Sequence, residues 1–176
     1  MFEDESGASL LPSVRATWAP RGRTPVISHR FGWKRMSMAT ALVYEPDGSD
    51  AQLIFGMRPG AYNDDSLIEF LAATHDLLEG REVTLIWDGL PSHRSKKMTA
   101  WIDTQASWLR VERLPGYAHE LNPVEGVWGN LKGNELANYC PNTIEDLEHK
   151  ADDGLCRIGS DARLCRAFLG QTPLRL

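Results

Sequence analysis

Residues 114–132, LPGYAHELNPVEGVWGNLK, predict the end of a strand, a tight loop and the start of a helix. Pro115 and Gly116 mark the turn. Asn122 is a favourable N-cap, and Pro123 suits the first position of the helix. Four apolar residues then recur at helical spacing, namely Val124, Val127, Trp128 and Leu131. The stretch therefore predicts a helix that packs on the core through one face, with Trp128 on the buried side.

Glu125 occupies the third position of this helix, where a carboxylate has two explanations. It can reach back to the N-cap amide and favour the positive end of the helix, and such capping is common. It can instead be a functional acid, which requires another acidic side chain from elsewhere in the chain. The stretch alone favours the cap.

A second acid, Asp88, ends the apolar run VTLIW at residues 83–87 and is followed by Gly89 and Pro91. The β-branched and large residues of this run predict a buried strand that delivers the aspartate at its carboxyl end. Ligands gather at such strand ends in open α/β sheets. A strand-ending aspartate also commonly caps the next turn, so the run by itself leaves both explanations open.

The segment WDGLPSH at residues 87–93 and the stretch at residues 114–132 resemble the catalytic core of DDE-type transposases, in the bacterial insertion-sequence branch related to mariner elements. The resemblance rests on an acid-ended strand with a downstream histidine, followed by a Leu-Asn-Pro-x-Glu block with a later Trp and Lys. Asp88 and Glu125 have 36 residues between them, close to the usual interval in that family. FEDESG at residues 2–7 and TWAPRGRTP at residues 17–25 are similar to further family blocks, so the resemblance reaches from residue 2 to about residue 143.

The resemblance implies an α/β, ribonuclease H-like fold with a mixed central sheet flanked by helices. It also implies that Asp4, Asp88 and Glu125 are the catalytic residues and hold two Mg²⁺ ions, for which Mn²⁺ substitutes. Asp4 is chosen by its place in the family block, whereas the short alternation around it leaves Glu3 and Glu5 as alternatives by register. Carboxylate oxygens are the ligands that hard cations prefer, and a two-ion site supports phosphodiester cleavage.

Five residues are expected to contact DNA: Arg21, His93, Arg94, Lys97 and Lys132. His93 follows Asp88 by five residues. The family places a histidine near a scissile phosphate at this point, and an imidazole that stabilises the turn is the alternative. Lys132 lies one turn beyond Trp128 and is better placed than that tryptophan to meet a phosphate.

Length and composition predict a single domain over residues 1–176, and the resemblance implies that it is a DDE catalytic domain. Hydrophobic residues make up 42% of the chain and charged residues 24%, which are globular values. No apolar run approaches the roughly 20 residues that cross a bilayer, and no signal-peptide pattern is present. The three cysteines show no CxxC spacing and fit reduced thiols better than disulfides or zinc. We therefore expect a cytoplasmic protein that is not associated with a membrane, and the resemblance implies that it is bacterial and associated with the nucleoid.

The net charge of −5 is unusual for a DNA-binding domain on its own. Basic residues still cluster in two places, Arg21, Arg23, Arg30, Lys34 and Arg35 early and Arg94, Lys96 and Lys97 later. A solvated face explains such clusters equally well. Because the chain has no helix-turn-helix pattern, we expect a separate DNA-binding region encoded upstream. The resemblance further implies a homodimer on transposon-end and target DNA.

The chain departs from the family pattern at its first strand, where only Phe2 remains of the apolar run that usually leads into the first acid. We therefore expect this strand to be truncated, with Asp4 weakly held. Gly89 stands where Asn is usual, and Ala118-His119 where Ser-Pro is usual. Two alternative functions follow: an inactive or repurposed fragment that acts as a DNA- or protein-binding module, and a stand-alone ribonuclease H-like nuclease.

The remaining chain predicts a hairpin followed by alternating helices and strands. The predicted strands cover residues 35–44, 52–56, 83–88 and 109–114. The predicted helices cover residues 64–78, 95–106, 143–158 and 161–170. Ser66 and Glu69 form a possible capping box for the first of these helices.

Overall fold

The computed structural model describes residues 1–29 and 32–174, so Arg30 of the early basic cluster lies outside the described residues. Its strands are β1 (Phe2–Ser9), β2 (Arg35–Tyr44), β3 (Ala51–Pro59), β4 (Val83–Trp87) and β5 (Leu109–Arg113). They form one sheet in the order β3-β2-β1-β4-β5. The first three strands pair antiparallel, whereas β4 and β5 run parallel to β1. The sheet is therefore mixed, as the resemblance implied.

Helices cover both faces of this sheet: α1 (Asp64–Leu77), α2 (Lys96–Thr104), α3 (Val124–Gly133), α4 (Ile144–Gly159) and α5 (Ala162–Gly170). On one face, Ala39 and Ala41 of β2 pack in a cluster with Phe70 of α1. On the other, Met38 and Leu42 of the same strand join a cluster that includes residues of α3, α4 and α5. β2 is thus buried on both sides, which explains why its sequence reads as a nearly continuous apolar run.

β1 is longer and better paired than the short, weakly held strand that we expected. It spans eight residues and pairs with β2 along its whole length, from Phe2 opposite Leu42 to Ser9 opposite Arg35. Phe2 is 4% exposed and lies in the core cluster next to α3. Asp4 is therefore carried by a fully paired central strand, and the expectation that it is poorly positioned is wrong for this fold.

The prediction for the start of α1 was also wrong. Asn63, not Ser66, is the N-cap, because its side chain accepts a hydrogen bond from the Ser66 amide while the Ser66 hydroxyl accepts one from the Asn63 amide. Glu69 takes no part in this box. The last residues of β3 were missed as well, since the strand continues to Pro59 opposite Met36.

A long loop joins β1 to β2 and carries several exposed apolar side chains, including Val14, Trp18 and Val26. It is tied to the body by main-chain and side-chain hydrogen bonds between Ser13 and Asn138, and between Arg15 and Asn138. Within residues 1–29 and 32–174, no helix is both long and apolar enough to cross a bilayer.

Candidate active site

Asp4 and Asp88 stand level with one another on neighbouring parallel strands. Phe2 of β1 is in register with Ile86 of β4. Asp4 and Asp88 each lie two residues further along their strands, so they stand side by side. Because side chains alternate between the faces of a sheet with a period of two, both point to the same face as Phe2 and Ile86. Parallel pairing at the middle of the sheet thus brings together two acids that have 83 residues, 5–87, between them in the sequence.

The three predicted catalytic acids line one open cleft of about 670 Å³. Asp4 comes from β1, Asp88 from the end of β4 and Glu125 from the first turn of α3. The cleft is completed by the turn after β4 and the loop between β5 and α3, which contribute Arg94, Arg113, Tyr117, His119 and Asn122. Neither Glu3 nor Glu5 lines this cleft, because alternation along β1 turns both to the other face of the sheet.

Asp4 is held by a residue of the facing helix. The indole Nε1 of Trp128 donates a hydrogen bond of 2.8 Å to Oδ2 of Asp4. Burial raises the pKa of Asp4 to about 7, the Trp128 hydrogen bond opposes that rise, and the neighbouring Glu125 carboxylate adds to it. Asp4 therefore exchanges its proton near neutral pH, where an unperturbed aspartate is fully ionised.

Asp88 is held by the turn that follows it. Its Oδ1 accepts a hydrogen bond of 2.9 Å from the amide of Leu90 and lies 2.8 Å from Nδ1 of His93. Partial burial alone would raise the pKa of Asp88, but these two contacts hold it below its ordinary value. Asp88 therefore stays ionised more readily than Asp4.

His93 is an internal residue and not a surface one. Its side chain is 0% exposed, and its ring stacks on Trp87 with centroids 4.1 Å apart and planes 3° apart. Burial opposes the charged form, yet contacts with Asp88 and Glu5 raise the pKa of His93 to about 10. The expected contact between His93 and DNA does not agree with this burial, and the alternative role of stabilising the turn after Asp88 does.

Glu125 is exposed in the first turn of α3 and makes no side-chain hydrogen bond with residues 1–29 or 32–174. The helix begins at Val124, and the amide of Asn122 donates to the carbonyl of His119 at 2.9 Å. That amide is the group a capping carboxylate at position 125 would bind. The capping explanation therefore fails, and the Glu125 carboxylate remains open to the cleft.

Asn122 has a role that the sequence did not reveal. Its Oδ1 accepts from the amide of Val124 at 3.2 Å, and its Nδ2 donates to the carbonyl of Glu3 at 3.3 Å. One buried side chain thus joins the start of α3 to β1, and so sets Glu125 beside Asp4. The expected core position of Trp128 is confirmed at 3% exposure, but its hydrogen bond to Asp4 was likewise missed.

The basic residues expected to contact DNA lie in different surroundings. Arg94 lines the cleft, and so does Arg113 at the end of β5, which sequence reasoning missed. Lys97 pairs with Asp65 of α1. Lys132 is half-buried and donates to Oγ of Ser6 at 2.6 Å, in a separate hollow beside Leu136. Arg21 is exposed on the loop between β1 and β2.

Comparisons with solved structures identify the fold. The Mos1 mariner paired end complex with Mn gives a TM-score of 0.71 at 15% identity, over 98% of this chain and 52% of that chain. The Mos1 transposase paired-end complex with left transposon end gives 0.70 at 16%, over 98% and 51%. The catalytic domain of Mos1 mariner transposase gives 0.62 at 14%, over 97% and 74%. The fold is therefore ribonuclease H-like, and the chain spans about half the length of the Mos1 chains in those complexes.

Sequence comparison identifies the family. No curated protein sequence matches the chain significantly. The sequence profile described as DDE superfamily endonuclease matches residues 1–148, which include β1, β4 and the start of α3, and hence all three acids of the cleft. The chain belongs to the DDE superfamily endonuclease family.

Proposed function

We propose that this chain is the catalytic domain of a DNA transposase, which cuts and joins DNA strands in a metal-dependent reaction during transposition of an insertion sequence. The observation that carries the proposal is the meeting of Asp4, Asp88 and Glu125 in one open cleft. Membership of the endonuclease family and the fold shared with Mos1 transposase support it.

The donor set of the cleft fits Mg²⁺, because three carboxylates offer only oxygen ligands. The raised pKa of Asp4 supports this fit, since its cause includes the nearby charge of Glu125, which a divalent cation would neutralise. We propose that Asp4, Asp88 and Glu125 hold two Mg²⁺ ions, with Mn²⁺ as a substitute. Bound ions of this kind activate the attacking oxygen and neutralise the negative charge that develops on the phosphate.

The side chains around the acids have separate tasks in this proposal. Trp128 fixes the carboxylate of Asp4, and His93 fixes that of Asp88. Glu125 has no such tether and can adjust as the DNA strand enters. Arg94 and Arg113 place positive charge on the cleft wall, where contacts to the phosphate backbone position a duplex without reading its sequence.

We further propose that the substrate is transposon-end and target DNA, contacted by Arg21, Arg94, Lys97 and Lys132. The protein would act as a homodimer on DNA in the bacterial cytoplasm, associated with the nucleoid. Residues 1–176 would form a single catalytic domain, and a separate upstream region would supply recognition of the element ends. An upstream frame encoding helix-turn-helix units within inverted terminal repeats would support this arrangement, and flanking DNA without either would contradict it.

A nicking assay on supercoiled plasmid with Mg²⁺ or Mn²⁺ tests the proposed activity. We expect the wild-type chain to nick the plasmid, and we expect Asp88→Asn and Glu125→Gln each to abolish nicking while circular dichroism and melting temperature report an intact fold. Both substitutions keep the side-chain shape and remove a charge. An active Asp88→Asn variant would refute the central assignment.

Two further outcomes of this assay separate the alternative functions. A folded wild-type chain that binds Mg²⁺ but never nicks DNA, even when joined to its upstream region, would indicate an inactive or repurposed fragment. Faster cleavage of an RNA–DNA hybrid than of duplex DNA would indicate a ribonuclease H-like nuclease.

A further inference from the structure

We propose that Glu3, Glu5 and His93 form a second metal site, suited to Zn²⁺, on the face of the sheet opposite the catalytic cleft. The three side chains each present a ligand atom, and these atoms lie within 4.8 Å of one another. The site does not depend on the proposed transposase activity, because it uses none of the acids that line the cleft.

The spacing between His93 and Glu5 fits shared ligation better than a hydrogen bond. Nε2 of His93 lies 3.3 Å from Oε2 and 3.4 Å from Oε1 of Glu5. Charge-assisted hydrogen bonds between nitrogen and a carboxylate are shorter, at about 2.7–2.9 Å. Two ligands that each lie about 2.0–2.1 Å from one tetrahedral Zn²⁺ ion are separated by roughly 3.3–3.4 Å. The observed distances of 3.3 and 3.4 Å between His93 and Glu5 match the spacing of two zinc ligands and exceed that of a charge-assisted hydrogen bond.

Glu3 supplies the strongest indication of a missing partner. Its side chain is 0% exposed, and neither of its carboxylate oxygens has a hydrogen-bond partner within residues 1–29 and 32–174. Buried charged groups are normally paired or bound to metal, so an enclosed carboxylate aimed at Glu5 and His93 calls for a cation.

The strand next to β1 carries only small side chains opposite Glu3 and Glu5. Glu3 is in register with Ala41 and Glu5 with Ala39, so the nearest side chains on β2 are single methyl groups. Both alanines are completely buried, which keeps bulk water away from the cluster. A small, dehydrated cation fits such a space better than a hydrated one.

His93 presents Nε2 to the two carboxylates, and a metal bound there would take the place of the Nε2 proton. Its Nδ1 lies 2.8 Å from Oδ1 and 3.2 Å from the carbonyl oxygen of Asp88, and because both are acceptors, Nδ1 carries the proton. Histidines that bind metals almost always donate their other ring N–H in this way. The stacking of the ring on Trp87 fixes its plane. An imidazole with two carboxylates favours Zn²⁺ over Mg²⁺, which distinguishes this site from the cleft.

The test isolates the buried site by disabling the cleft. In an Asp4→Asn/Glu125→Gln background, after chelation and removal of the chelator, titration calorimetry with Zn²⁺ alone should show one ion per chain and a rise in melting temperature. Adding Glu3→Gln removes a direct ligand, so it should weaken Zn²⁺ binding by at least the roughly 10–100-fold that loss of an outer-shell partner costs, and should remove the thermal shift. Undiminished binding in the Glu3→Gln protein would overturn the proposal, as would no binding in the background protein.

A matched pair of histidine variants guards against adventitious surface binding and against a variant that fails to fold. His93→Asn should lose the Zn²⁺ ion, whereas His149→Asn, which removes an exposed imidazole of α4, should keep it. Co²⁺ added to the background protein should give a visible absorption band that Glu5→Gln abolishes. Loss of binding in the His149→Asn protein alone would place the ion on the surface and refute the site.

Discussion

Trp128 shows how one side chain can serve both the core and the cleft. Its ring is 3% exposed among apolar residues of α3, yet its indole N–H reaches the carboxylate of Asp4. Helical periodicity accounts for the burial, because residue 128 lies on the apolar face. The hydrogen bond depends on the position along β1 at which α3 packs against the sheet, and helical periodicity does not determine that position.

The first prediction concerns this hydrogen bond. Trp128→Phe keeps most of the ring and removes the N–H, so the Asp4 carboxylate loses its tether. A hydrogen bond to a charged group contributes about 1.5–3 kcal/mol, so we expect cleavage in the nicking assay to slow by roughly tenfold or more. Trp101→Phe on α2 is the control and should cleave at the wild-type rate. Equal rates for both variants would show that Asp4 needs no help from Trp128.

At the level of whole elements, α3 is seated by close packing against α5. A Cβ built on Gly126 would lie 2.6 Å from Cδ1 of Phe168, whose ring is 3% exposed and has little room to move. Three residues later, a Cβ on Gly129 would meet nothing within 4 Å. The two glycines of this helix therefore affect stability differently. Gly126 permits α3 to approach Phe168 of α5 closely, whereas Gly129 only lowers the helix propensity of α3.

The second prediction compares these two glycines by urea unfolding. Gly126→Ala should lower the free energy of unfolding by about 1–3 kcal/mol, because either the Phe168 ring or α3 itself must shift. Gly129→Ala should raise it by up to about 1 kcal/mol through better helix propensity. We also expect Gly126→Ala to slow cleavage, since a displaced α3 carries Glu125 away from Asp4. The same sign of change for both variants would contradict this account of how α3 is seated.

A third prediction concerns the start of α1, where Asn63 is the N-cap in place of the expected box between Ser66 and Glu69. Asn63→Ala removes the side chain that accepts from the Ser66 amide, and should lower the free energy of unfolding by about 1 kcal/mol. Glu69→Ala, at the residue first expected in the box, should change it by much less. Equal losses from the two substitutions, measured by urea unfolding, would contradict the Asn63 cap.

At the scale of the whole molecule, the fold brings the like charges of the three proposed catalytic acids, Asp4, Asp88 and Glu125, together at the middle of the sheet. The fourth prediction is that Mg²⁺ or Mn²⁺ raises the melting temperature of the wild-type chain, because cations bind the assembled cleft and not the unfolded chain. A free metal-ion concentration of about 100 times the dissociation constant adds roughly 2.7 kcal/mol to the free energy of unfolding. Asp88→Asn/Glu125→Gln should lose most of this stabilisation, whereas Glu3→Gln should keep it. A melting temperature that does not respond to either ion would count against metal binding in the cleft.

Sequence patterns were sufficient for the parts of this protein that depend on short-range order. The strand at residues 35–44 and the helix capped by Thr143 follow from periodicity and capping chemistry, and both are present as β2 and α4. The acid-ended run at residues 83–88 and the Leu-Asn-Pro-x-Glu block were sufficient to indicate the family. These features are local because a side-chain period or a cap involves residues only a few positions apart.

Tertiary structure alone decided which side chains meet. The parallel register of β1 and β4 sets Asp4 beside Asp88, and the docking of α3 through Asn122 brings Glu125 to them. The same register turns Glu3 and Glu5 away from the cleft and encloses His93 beside Glu5. A shift of one residue in β1 would exchange the two sets of acids between the faces of the sheet. Sheet register and helix docking depend on contacts between residues far apart in the chain, and a local pattern does not contain them.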